Sequence, residues 1–81
     1  MQKVIFYTKD NCLLCDEAYS LVEVLSYDYP FEVEKIDIYS DDALLEKYHL
    51  LIPVVKINGR ELVGEELTFE KIESEIRKVC N

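Results

Sequence analysis

Residues 3–8, which read KVIFYT, form a nearly continuous run of β-branched and aromatic side chains. Such a run is typical of a central strand that is buried on both faces, and it requires apolar layers above and below a sheet. A turn follows at residues 9–11, and apolar residues then recur at helical spacing. They are Leu14, Ala18, Leu21, Val22 and Leu25. The pattern predicts a helix over residues 12–26.

Three further strands are expected. Residues 31–38 alternate between apolar and polar side chains, which predicts a half-exposed strand. Residues 53–57 and 61–64 flank the dipeptide Asn58–Gly59, which favours a type I′ hairpin turn. The first two strands should be parallel with a right-handed crossover, and the hairpin should extend the sheet in the antiparallel sense.

Two further helices complete the predicted order. Ser40 supplies a capping hydroxyl for a short helix that runs to about residue 48. Thr68 caps a last helix, and Leu67 and Ile72 are placed to form a hydrophobic staple around that cap. We expect His49 at a C′ position in a left-handed conformation, not as a catalytic base. The order β-α-β-α-β-β-α predicts an α/β fold with a four-stranded mixed sheet flanked by three helices.

Length and charge restrict the class of protein. With 81 residues, the chain is expected to form one domain over residues 1–81. Nine basic and 17 acidic residues give a net charge of -8, which disfavours nucleic acid or an anionic membrane surface as a partner. No apolar run approaches the roughly 18 residues of a membrane span, and the start does not resemble a secretory signal. We expect a cytoplasmic monomer.

Cys12 and Cys15 lie at the predicted junction of strand and helix. A spacing of three puts both side chains on one helix face, and the unpaired N–H groups of the first turn favour a thiolate at Cys12. Cys15, one turn deeper, can attack a mixed disulfide on Cys12 and release the product. Lys9 also favours the thiolate, whereas the carboxylates of Asp16 and Glu17 oppose it.

Two other interpretations of the cysteines stay open. A structural zinc site needs four ligands, and the chain offers Cys12, Cys15, Cys80 and His49 without a second C-x-x-C pair. Alternatively the pair is incidental, because free cysteines are common in protein cores. We expect no metal. Cys80 lies off the apolar stripe of the last helix and is expected to be an incidental thiol. The six tyrosines are expected to be packing and surface residues, and Tyr7 is the one candidate among them to line a cleft.

A proline opens the predicted third strand, in the sequence Ile52–Pro53. Proline is tolerated there because the first residue of a strand has no ladder hydrogen bond to donate. If the bond is cis, the turn presents the backbone of Ile52 and Val54 to a substrate beside Cys12.

The segment YTKDNCLLC, the proline before the third strand, the Asn–Gly hairpin and the final helix together resemble a small glutaredoxin of the thioredoxin fold. The stretch CLLCDEA matches the Cys-x-Leu-Cys-Asp-Glu-Ala motif of a glutaredoxin-like group. The resemblance implies thiol–disulfide oxidoreduction in which Cys12 attacks and Cys15 resolves. It also implies that Lys9 meets a substrate carboxylate, that Pro53 is the cis-proline, and that the backbone of Val54 pairs with glutathione.

The chain departs from the glutaredoxin pattern in two places, of which the first concerns the redox potential and the second the use of glutathione. Leu13 and Leu14 stand where the family usually has proline and tyrosine, and GEELT replaces a Gly-Gly stretch that ends in a small polar residue and Asp. Glu65 and Glu66 therefore place two anions where a substrate carboxylate docks. The resemblance implies protein or glutathione mixed disulfides as substrates, no bound cofactor, and glutathione or a thioredoxin-reductase-type enzyme as the reductant. A non-catalytic interaction module and a redox sensor stay open as alternatives.

Overall fold

Seven helices and strands make up residues 1–80, the part of the chain that the computed structural model describes. In chain order they are β1 (Gln2–Thr8), α1 (Leu13–Ser26), β2 (Phe31–Asp37), α2 (Asp42–Tyr48), β3 (Val54–Ile57), β4 (Arg60–Val63) and α3 (Phe69–Val79). Short 3₁₀ turns at Ile38–Ser40 and Gly64–Glu66 precede α2 and α3. The four strands form one mixed sheet in the order β2-β1-β3-β4. The predicted α/β fold and element order are confirmed.

β1 lies inside the sheet. It pairs in parallel with β2, where Thr8 stands opposite Asp37, and antiparallel with β3, where Tyr7 stands opposite Val54. The carboxyl end of β1 and the first residue of β3 therefore lie side by side at the same end of the sheet. The chain leaves β1 for α1 at this end, so the loop that leads to the cysteine pair and the turn before β3 start from neighbouring strands.

Apolar clusters cover both faces of β1, as its continuous apolar run predicts. One cluster joins the sheet to α1 and α3, and its members include Val4, Phe6, Val22, Leu25, Ile72 and Ile76. The other joins the opposite face to α2 and contains Tyr7, Ile38, Tyr48 and Val54. Each fully buried aliphatic or aromatic side chain contributes about 1.5–3 kcal/mol relative to exposure, so the two clusters hold the helices against the sheet.

The predicted cap of the last helix at Thr68 and the predicted hairpin turn at Asn58–Gly59 are confirmed. Thr68 caps α3, and its hydroxyl oxygen accepts a hydrogen bond from the backbone N–H three residues on at 3.2 Å. Leu67 and Ile72 pack in the same cluster, as a hydrophobic staple requires. Asn58 and Gly59 both have positive φ, 49° and 86°, which a type I′ turn demands at its two central positions.

Two details around α2 differ from the prediction. Asp41, not Ser40, caps this helix, and its carboxylate accepts from the backbone N–H two residues on at 2.9 Å. Ser40 instead donates to the carbonyl of Asp37 at 2.6 Å within the 3₁₀ turn. The left-handed prediction for His49 was wrong, because its φ is -61° and its N–H continues the helical pattern by donating to Leu45.

Tyr7 is a packing residue, as expected for the tyrosines, and it does not fill its alternative role of lining a cleft. Strand alternation turns its side chain under α2, where it is buried and stacks on Tyr48 with ring centroids 4.3 Å apart. The Tyr48 hydroxyl donates to the carboxylate of Glu61 on β4. Burial and this hydrogen bond raise the pKa of Tyr48 well above its ordinary value.

Replacing Tyr48 with phenylalanine keeps the stacked ring and removes the hydroxyl. We expect the free energy of unfolding at pH 7 to fall by about 1–3 kcal/mol, because a partly buried hydrogen bond to a charged group is lost. Since the folded-state pKa of Tyr48 lies above the unfolded value of about 10, its stabilisation is present below that pH and is lost as the pH rises above it. When the pH is raised above about 10, the free energy of unfolding should therefore fall less in the Tyr48→Phe variant than in the parent protein.

Urea unfolding at pH 7 and at about pH 11 measures both effects. Tyr27→Phe is the matched control, because this tyrosine is 80% exposed. The same alkaline loss of stability in Tyr48→Phe and in the parent protein would contradict the assignment to Tyr48.

Candidate redox site

Cys12 is the N-cap of α1, one residue before the first helical residue. Its φ is -125°, and its sulfur accepts a hydrogen bond from the backbone N–H of Cys15 at 3.1 Å. Asn11 just before it has φ 54°, a left-handed conformation that asparagine tolerates better than most residues and that turns the chain from β1 into α1. The Cys12 sulfur thus lies at the N–H end of the helix, where the helix dipole stabilises a thiolate.

Cys12 and Cys15 form a disulfide, with their Cα atoms 5.2 Å apart. The two cysteines differ sharply in exposure. Cys15 is 1% exposed and belongs to the core, whereas Cys12 is only partly buried against that core. An incoming thiol or disulfide can therefore reach the sulfur of Cys12, while the surrounding apolar side chains shield that of Cys15.

The Ile52–Pro53 peptide bond is cis, in agreement with what the glutaredoxin resemblance implied. Pro53 directly precedes β3, at the end of the sheet where the neighbouring strand β1 ends. The side chain of Val54 is fully buried in the cluster under α2. With an exposed fraction of 0% for the whole residue and strand partners on both sides, Val54 offers neither its side chain nor its backbone to a substrate in this structure.

An apolar groove of about 670 Å³ includes Leu14, a residue between Cys12 and Cys15 in the chain, although neither cysteine lines it. Its walls come from the exposed face of α1, the loop between α2 and β3, and the segment after β4. Its apolar lining residues include Leu14, Leu21, Leu50, Leu51, Pro53 and Leu67. Ile52 also lines the groove, so two of the predicted binding residues, Ile52 and Pro53, lie together in it.

Lys9 lies apart from this groove. It is exposed and lines a separate polar pocket of about 300 Å³, together with Asp10, Asn11, Asp16 and Asp37 among others. The structure therefore does not bring Lys9 together with Ile52 and Pro53 in one binding surface. The closeness of Lys9 to Cys12 in the sequence did not reveal this separation, because the left-handed turn at Asn11 lies between them and changes the direction of the chain.

The two glutamates of GEELT have different surroundings. Glu66 accepts a hydrogen bond from the backbone N–H of Val63 at 3.3 Å and lies 3.6 Å from the guanidinium of Arg60. Glu65 is exposed, and Gly64 before it lines the groove with φ 56°. Of the two anions expected near a docking carboxylate, Glu66 is thus engaged within the fold and Glu65 faces water.

Cys80 packs against the same apolar cluster as Cys15, so the expectation that it lies off the α3 stripe was wrong. Its thiol faces the carbonyl oxygen of Pro30 at 3.9 Å, and burial raises the pKa of this thiol. Across residues 1–80, the structure gathers no group of three or more His, Cys, Asp or Glu side chains suited to a metal ion. Within the same range, no helix combines the length and apolar character needed to cross a bilayer.

We expect Cys80 to react with iodoacetamide more slowly in the folded, reduced protein than in urea, both at pH 8. Partial burial raises the pKa of its thiol and so lowers the fraction of the reactive thiolate. Timed quenching followed by peptide mass spectrometry measures the rate. Equal rates in the two conditions would show that Cys80 is freely accessible.

The fold and the site together define a class of protein: a thioredoxin-fold protein with a C-x-x-C disulfide at the start of its first helix. A model of the Glutaredoxin-like domain (DUF836) matches residues 3–77, and the chain belongs to this family. The predicted glutaredoxin-like assignment is thereby confirmed.

Solved structures are similar over nearly the whole chain. The structural genomics target XcR50 from X. campestris has a TM-score of 0.74 and 26% identity, covering 93% of this chain and 96% of its own. Protein Ne2328 from Nitrosomonas europaea has a TM-score of 0.74 and 28% identity, covering 93% of this chain and 91% of its own. A variant thioredoxin from Halobacterium salinarum has a TM-score of 0.76 at 22% identity, covering 98% of this chain and 74% of its own, and it shows the fold alone.

The groove is the feature that sequence reasoning missed. A signal was present in the loop before Pro53, where Leu50 is 84% exposed and Leu51 is 45% exposed. Two adjacent large apolar residues in a loop are unusual if nothing covers them, and a contiguous exposed apolar patch indicates a binding surface.

Proposed function

We propose that the protein is a thiol–disulfide oxidoreductase in which Cys12 is the attacking and Cys15 the resolving cysteine. The observation that carries the proposal is the Cys12–Cys15 disulfide at the N-terminus of α1, in which Cys12 is partly buried and Cys15 is fully buried. An accessible sulfur at the helix N-terminus suits a nucleophile, and a buried neighbour suits a resolving group that substrates do not reach.

Two exchange steps transfer the electrons. The Cys12 thiolate attacks one sulfur of a substrate disulfide, the substrate S–S bond breaks, and the first substrate thiolate leaves and takes up a proton. Cys15 then loses its proton and attacks the Cys12 sulfur, which breaks the mixed disulfide and releases the second substrate thiol. Two electrons and two protons pass to the substrate, and the Cys12–Cys15 disulfide remains.

The proposed substrates are protein disulfides and glutathione mixed disulfides. Two molecules of glutathione, or a thioredoxin-reductase-type enzyme, return the two electrons to the Cys12–Cys15 disulfide. The sulfur atoms carry the electrons, so we propose no bound cofactor. Ile52 and Pro53 would guide the substrate toward Cys12, since both line the groove that also includes Leu14, two residues after Cys12 in the chain.

Equilibration with glutathione buffers of graded poise tests the proposal, with the states of Cys12 and Cys15 measured by mass spectrometry. We expect the pair to convert between dithiol and disulfide, with glutathione adducts on Cys12 if glutathione is the reductant. Conversion only at a much more reducing potential, without adducts, would favour the reductase route. A pair that stays reduced at every poise and turns over no disulfide would favour the non-catalytic interaction module.

A further inference from the structure

We propose that the groove selects protein substrates that carry a large aliphatic side chain next to the reacting cysteine and basic residues near it, in preference to glutathione. The inference rests on the proposed roles of Cys12 and Cys15. The groove starts at Leu14, which lies between the two cysteines in the chain, and continues to Leu51 and Leu67. A segment whose cysteine reacts with Cys12 would therefore lay its neighbouring residues along the groove.

The apolar character of the groove determines the first part of this specificity. Leu14 is 66% exposed, Leu50 is 84% exposed and Leu51 is 45% exposed, so much of their apolar surface contacts water. Covering this surface with an aliphatic side chain is favourable in proportion to the area that leaves water. The volume of about 670 Å³ is in the range of about 300–1,000 Å³ that is usual for ligand sites.

The charges of the groove determine the second part. Glu17 is exposed and lines the groove, and no lysine or arginine is among its lining residues. Glu65 is exposed directly after Gly64, which lines the same groove. Glutathione has two carboxylates that would lack a cationic partner there, whereas a lysine or arginine side chain would meet carboxylates of opposite charge.

The net charge of the chain makes a second copy of the protein an unfavourable occupant. At -8 the two copies repel each other, and the exposed Glu17 and Glu65 would be repelled by an acidic partner surface. A basic, aliphatic segment of another protein satisfies both the apolar walls and the charges.

Three mixed disulfides of 2-mercaptoethanol test the inference. One carries a peptide with leucine and lysine beside its cysteine, the second a peptide with serine and glutamate in those places, and the third glutathione. Single-turnover oxidation of the reduced protein, quenched with acid and measured by mass spectrometry, gives the three rates. We expect the leucine–lysine peptide to react at least about tenfold faster than the other two, a difference that hydrophobic and charge contacts of this size supply.

Substitutions in the groove test whether the groove is the source of the substrate preference. Leu51→Ser and Glu17→Lys should each lower the ratio of the two peptide rates several-fold. Val24→Ser and Glu23→Lys are the matched controls, because both positions are exposed on α1 and neither lines the groove. These controls should leave the ratio unchanged. High salt should weaken the contribution of lysine and spare that of leucine, since screening acts on the charges alone.

The outcomes distinguish this inference from the proposed function. Reduction of a small neutral disulfide such as hydroxyethyl disulfide, with equal rates for all three mixed disulfides, would overturn the inference and leave the function intact. No reduction of any disulfide would overturn both. A stable dimer of the parent protein that Leu51→Ser dissociates would assign the groove to a second copy and would also overturn the inference.

Discussion

Replacing Cys12 with serine is expected to abolish disulfide reduction, lowering the rate by at least about a thousandfold. A serine hydroxyl stays protonated at neutral pH and forms no disulfide, so neither exchange step can occur. The fold should persist, because serine is a favoured N-cap residue. Its oxygen can accept the hydrogen bond that the Cys12 sulfur now receives from the backbone N–H of Cys15.

The rate with hydroxyethyl disulfide measures this effect, and urea unfolding under reducing conditions verifies the fold. Cys80→Ser is the matched control, because it removes the one cysteine outside the pair and should keep turnover. Substantial turnover by Cys12→Ser would mean that another thiol is the nucleophile, and the proposed roles would have to be exchanged.

Replacing Cys15 with alanine is expected to preserve the first exchange step and to block the second. The protein should then accumulate as a mixed disulfide with its substrate on Cys12, with a lifetime at least about a hundredfold longer than in the parent. Alanine is preferable to serine at this position, because Cys15 is 1% exposed in an apolar cluster and a hydroxyl there would lack a water partner.

Mass spectrometry under non-reducing conditions detects the trapped species as an added substrate mass on Cys12. Release of the adduct by added glutathione would support glutathione as the resolving reductant, and release by a reductase system alone would support the other route. Fast release without any added thiol would show that a group other than Cys15 resolves the mixed disulfide, which contradicts its proposed role.

Most of the fold could be predicted because its signals are local. The continuous apolar run of β1 required layers on both faces, and both are present. Asn58–Gly59 and Thr68 act through their own backbone geometry and hydrogen bonds, so the hairpin and the start of α3 followed from neighbouring residues alone. The predicted helix over residues 12–26 differs from α1 by the single cap residue Cys12.

The predictions that failed concern surroundings set by distant parts of the chain. Tyr7 was the one tyrosine considered for a cleft, yet it is buried because α2 packs over it. Cys80 was expected off the apolar stripe of α3, yet it packs against the cluster that α1 and α3 share. The left-handed backbone of His49 was predicted from its residue type and its position at the helix end alone, but this C-cap residue keeps a right-handed backbone.

The sequence by itself determined the order of the elements, the position of Cys12 and Cys15 at a helix start, and the proline before β3. Spacing and local backbone preference decide these features, and both can be read along the chain. Only the tertiary structure decided that Cys12 is partly buried and Cys15 fully buried, that Lys9 lies outside the groove, and that leucines from three separate segments form its walls. Burial and grooves arise where segments far apart in the chain meet, so no local pattern contains them.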